Sequence, residues 1–117
     1  MALRYLQETE LKPYINAGKI IEQYICMFKN GEFDAHRYVS IGKNKDGYYA
    51  FIHEVFDETD EFVESIYDFS SIDPDELNGV NIGPFISFQK ALESLKVSVD
   101  LKSDKFHLTG YLDEIRK

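Results

Sequence analysis

Three histidines, one cysteine and two runs of carboxylates are the residues of this 117-residue chain that could do chemistry. His36, His53 and His107 are widely separated, and none falls in the close histidine spacings that let two imidazoles clasp one ion. His53 and Glu54 are neighbours in a stretch that reads as a strand, so their side chains point to opposite faces. Cys26 stands alone between Ile25 and Met27, which removes zinc ribbons and internal disulfides and reads as a small buried hydrophobe. No metal and no cofactor are expected. The runs Asp57–Glu61 and Asp73–Glu76 lack the alternating oxygens, central glycine and terminal Glu of a calcium loop, and read as solvated turns.

Other chemistries fail on spacing. Gly42–Gly47 ends in Asp-Gly and joins two strands, so it is no phosphate cradle. A Gly-x-Ser-x-Gly elbow is absent from the sequence. Glu54, Glu64 and His53 could form a cross-strand acid/base group, but nothing in the sequence sets their separation. The 13 Lys and Arg against 21 Asp and Glu leave a net charge of −8. That field repels phosphate backbones and anionic membrane surfaces, and the aromatics Tyr38, Tyr48, Tyr49, Phe51 and Tyr67 have carboxylates as frequent neighbours. Neither nucleic acid nor membrane is an expected partner, whereas a basic protein would be steered in.

The elements that would hold these residues follow from apolar spacing. One domain over residues 1–117 is expected from the length, in a cytoplasmic setting because no leader and no long apolar run is present. A short helix should end before Pro13. Lys19–Phe28 fits either a helical stripe or a strand, and the Asn30-Gly31 pair after it favours a strand closed by a type I′ hairpin. His36–Ile41, Tyr48–Phe56 and Glu61–Phe69 read as three strands of an antiparallel meander with Tyr48–Phe56 in the middle. Ser87 caps a helix over Phe88–Lys96, Val97–Leu101 alternates as a short strand, and Tyr111–Lys117 closes with a helical turn. The expected fold is therefore α+β: an antiparallel meander of 3–5 strands with one or more helices packed on one face.

Tyr48–Phe56 is apolar on both sides, with Tyr49, Phe51, His53 and Val55 on one face and Tyr48, Ala50, Ile52, Glu54 and Phe56 on the other. A sheet with one wet face should alternate more cleanly. Either the chain termini cover the second face, or it is an interface. The functional expectation is a small acidic, non-enzymatic protein-binding module of inhibitor, immunity or adaptor type. Its binding residues would be Tyr49, Phe51, His53, Glu54 and Tyr67, and its partner a basic protein or a second copy. The alternative is a small enzyme or ligand-binding domain with a pocket between the sheet and helix 88–96, using His53 or Glu54 as its polar group.

Overall fold

The computed structural model describes residues 4–77 and 79–116. Residues 1–3, Asn78 and Lys117 lie outside them, and Lys117 is the last residue of the expected C-terminal helical turn. The elements run α1 (Glu8–Asn16), β1 (Ile21–Asn30), β2 (Phe33–Asn44), β3 (Gly47–Phe56), β4 (Val80–Asn81), α2 (Phe88–Ser98), β5 (His107–Leu108) and α3 (Leu112–Arg116). The five strands form one open antiparallel sheet in the order β4-β3-β2-β1-β5. This is the expected α+β class.

Two tight hairpins build the centre of the sheet. Asn30 pairs with Phe33, so the first turn is Gly31-Glu32 and only Gly31 takes a positive φ, 63°. That is the pattern of a turn with glycine at its first central position, one residue later than an Asn30-Gly31 type I′ turn. The second hairpin closes on Lys45-Asp46, because β2 and β3 run through most of the expected Gly42–Gly47 loop and pair as far as Asn44 and Gly47. The Asn44 side chain accepts the Asp46 amide at 2.8 Å.

One face of the sheet carries Ile21, Val39, Ile41, Tyr48 and Ala50, and α1 and α2 lay Leu11, Ile15, Phe88, Ala91, Leu92 and Leu95 across them. Ser87 caps α2 by accepting the Lys90 amide at 3.2 Å. The other face is partly roofed by Ile66, Phe69 and Leu112, which close over Tyr38 and Val55. The C-terminal helix thus contributes to that cover, while the N-terminal helix goes to the opposite side.

Three local expectations are corrected. α1 continues through Pro13 to Asn16, since burying Leu11 and Ile15 outweighs the hydrogen bond that proline cannot donate. Val97–Leu101 forms no strand: Val97 and Ser98 extend α2, and the edge of β1 at Ile21-Glu22 is taken by β5. Glu61–Phe69 is not a strand but coil around two 3-10 turns, Thr59–Glu61 and Ile66–Asp68. The outer edge of β3 is already occupied by Ser70–Phe85, through Phe56–Ser70, Ile72–Glu54, Ile82–Ala50 and Tyr48–Phe85 backbone bonds. With no edge left, local partners win: Ser65 Oγ accepts the Tyr67 amide and Asp113 accepts the Ile66 amide. Ile66 and Phe69, three apart, then turn inward together. The meander is consequently β1-β2-β3, with β2 at its centre.

Candidate functional site

The register of the sheet assembles a row of rings and polar groups on the face away from α2. Tyr38 lies opposite His53 and Ser40 opposite Phe51, while Glu22 on β1 lies opposite Ser40. Along β3, Tyr49, Phe51 and His53 share this side. Tyr49 meets Phe51 edge-on at 5.3 Å, and Phe51 lies 6.0 Å from His53. His53 stacks flat on Tyr38 at 4.4 Å and 9°, and Tyr38 meets Tyr67 edge-on at 6.4 Å. Five rings from three segments thus form one ladder. Gly42 provides its flat bed, for a Cβ there would overlap the Tyr49 ring.

Two rings of the ladder anchor part-buried polar pairs. His53 Nε2 is 3.0 Å from Ser40 Oγ. The Tyr67 hydroxyl donates to Glu22 Oε1 at 2.6 Å and accepts the Gly110 amide at 2.8 Å. Glu22 is only 4% exposed, so this phenol and the Gly110 amide replace its water. Burial lowers the His53 pKa to about 4, which leaves a neutral imidazole at pH 7. Burial, reinforced by Glu22, pushes Tyr38 up to about 12 and Tyr67 well above the ordinary phenol value. The ladder therefore presents neutral rings and hydroxyls, suited to contact and hydrogen bonding more than to proton transfer near pH 7.

Of the five residues expected at a binding site, Tyr49, Phe51, His53 and Tyr67 come together here. Glu54 does not. It projects from the opposite face, where Arg37 donates to it from Nε at 2.7 Å. Glu64 lies in coil, so no strand brings it across from Glu54. The space between α2 and the sheet is filled by Phe88, Ala91, Leu92 and Leu95, and His53 faces away from it.

Sequence reasoning missed Glu22 and Ser40. A carboxylate directly following Ile20-Ile21 was the available signal for the first. It also missed a second buried chain. His36, fully buried, sits with Nε2 2.9 Å from Asp57 Oδ2 and Nδ1 2.7 Å from the Tyr24 hydroxyl. An ionised Asp57 only accepts, so Nε2 carries a proton and donates to it. Partial burial raises the Asp57 carboxyl, but hydrogen bonds from Thr59 and His36 outweigh it and bring its pKa to about 2. Nothing local in the sequence ties these three residues together.

Beyond the reach of α1 and α2, the far end of the helix-covered face carries Phe28, Phe33, Phe56 and the Arg37–Glu54 pair. Phe33 and Phe56 meet edge-on at 5.9 Å and, with Asp57, Glu58 and Glu61, line an open cleft of about 180 Å³. Among the described residues, no three His, Cys, Asp or Glu side chains gather as a metal site, and no helix is long and apolar enough to cross a membrane.

Fold and surface together define an α+β domain with an open five-stranded sheet and a ladder of rings on one face. Comparison with protein-family models, curated proteins and solved structures finds no match for this chain.

Proposed function

We propose that this protein is a non-enzymatic binding module that docks a basic protein through the ring ladder and the carboxylates that frame it. One observation carries the reading. Asp57–Leu77 holds nine of the 21 carboxylates and neither Lys nor Arg, while the other twelve nearly balance the 13 cations. Among the described residues none of the nine pairs with Lys or Arg, and the one histidine contact among them is Asp57 with His36. The same segment crosses the ladder at Tyr67 and returns along β3, so its field and the rings face an incoming partner together. Charge of one sign accelerates encounter with the opposite sign, and the partly exposed rings of Tyr49, Phe51 and Tyr67 supply contact area once docked.

Interferometry against purified basic and acidic proteins at 50 and 500 mM NaCl tests this. A basic partner should bind and weaken at least tenfold at the higher salt. Glu64→Gln/Asp68→Asn/Asp75→Asn should slow its association several-fold, and Phe51→Ala should speed its release. Equal binding of acidic and basic proteins would refute the reading.

A second copy is the other partner with an observation of its own. Among the described residues no backbone group beyond β2 pairs with Ile25–Asn30, so that edge of β1 is open to an identical strand. Sedimentation at 10 and 500 µM should then show dimers that a Met27→Pro substitution abolishes.

A further inference from the structure

We infer that the cleft between Phe33 and Phe56 is a socket for an arginine side chain of the basic partner. This rests on the basic-partner reading and adds a contact on the opposite face of the sheet from the ring ladder, linked to it by the Asp57–Leu77 segment. The molecule already uses the combination twice. Arg37 stacks 4.8 Å over Phe28 while its guanidinium holds Glu54, and Arg116 stacks 5.0 Å over Phe69 while its Nε donates to Asp113. In each, a ring lies under the guanidinium carbon and a carboxylate accepts its N–H groups, an arrangement that suits arginine better than the point charge of lysine. Phe33 and Phe56 offer rings of the same kind, and Glu61 offers an exposed carboxylate beside them. Yet among the described residues no cation stacks on either ring. The third combination lacks its arginine.

The walls of the socket differ in what they are free to do. Asp57 is engaged by His36 and Thr59, and Glu58 by the Ser70 amide and hydroxyl, so both are held in place. Glu61 is exposed and closes a 3-10 turn that ends on Phe62, which has φ 67° and is 94% exposed. A bulky non-glycine residue at positive φ is uncommon, and such strain clusters at binding sites. Phe33, 66% exposed, completes the open wall. The cleft belongs to the nine-carboxylate segment, so its charge is complementary to an arginine-bearing segment.

The test is an NMR titration of the full chain with acetyl-Gly-Arg-Gly-amide, its citrulline counterpart, and hexa-arginine. The arginine tripeptide should saturably shift the ring signals of Phe33 and Phe56 and the amides of Asp57–Phe62. Citrulline, of the same shape without the charge, should not. Phe33→Ala and Glu61→Gln should each weaken the tripeptide at least threefold, and both sites are exposed enough to leave thermal unfolding nearly unchanged. Hexa-arginine that binds at Tyr49, Phe51 and Tyr67, with unchanged affinity in both variants, overturns the socket and leaves the basic-partner reading standing. If no basic peptide binds at 50 mM NaCl, both fall.

Discussion

His53 makes the stability of this protein depend on pH in a defined direction. Its folded pKa of about 4 lies below the usual value of 6.5, so below pH 6.5 the unfolded chain binds the proton more readily. Stability is therefore full above pH 6.5 and declines as pH falls from 6.5 to 4, by on the order of 2–3 kcal/mol for a group this buried. Urea unfolding at pH 7, 5.5 and 4.5 should show that slope, and His53→Gln should flatten it. Asp57 acts in a lower window: its folded pKa of about 2 is below the unfolded one, so its contribution is present above about pH 4 and lost as pH falls toward 2. His36→Phe should remove the partner of both Tyr24 and Asp57. A loss of about 2 kcal/mol is expected in urea, and the Asp57 carboxyl should titrate higher by NMR.

At the scale of elements, edges decide more than propensities. Tyr48–Phe56 keeps its strand because β2 holds one side and Ser70–Phe85 the other, whereas Glu61–Phe69 alternates as well but finds no free edge. α1 shows the opposite balance, a helix retained against its own proline because its inward face is needed. Pro13 is exposed, so Pro13→Ala should restore the hydrogen bond to Thr9 without disturbing the core. A gain of about 1 kcal/mol is expected, less than the full proline penalty because the unfolded chain also becomes freer. A thermal midpoint that fell on this substitution would show that the helix is fitted around the ring.

Over the whole molecule, the segregation of charge sets the response to salt. Nine carboxylates without a basic neighbour in sequence repel one another, and the Debye length shrinks from about 30 Å at 0.01 M to about 10 Å at 0.1 M. Raising NaCl from 10 to 300 mM should therefore raise the thermal midpoint, while weakening any basic partner. Exposed ion pairs such as Arg4–Glu10 and Lys90–Glu93 contribute too little to reverse the trend. A midpoint that fell with salt would mean that attraction across the molecule exceeds repulsion within Asp57–Leu77.

The residues alone determined what depends on near neighbours. Glycine and Asn-Asp-rich turns between apolar runs define the hairpins, Ser87 and the Phe88–Leu95 spacing define α2, and the carboxylate excess defines the field. Tyr49, Phe51 and His53 share the ring ladder because alternation along β3 is a local property, whereas Tyr67 reaches it from a 3-10 turn. Tertiary structure decided the rest. Which segment fills the outer edge of β3, that β2 is central, and that Tyr24 and Asp57 meet at His36 all follow from competition among distant segments for one set of backbone partners. Glu54 belongs to the same strand yet turned out engaged, since its partner Arg37 is set by the β2–β3 register. Alternation states which face a side chain takes, and only the packed sheet states what waits there.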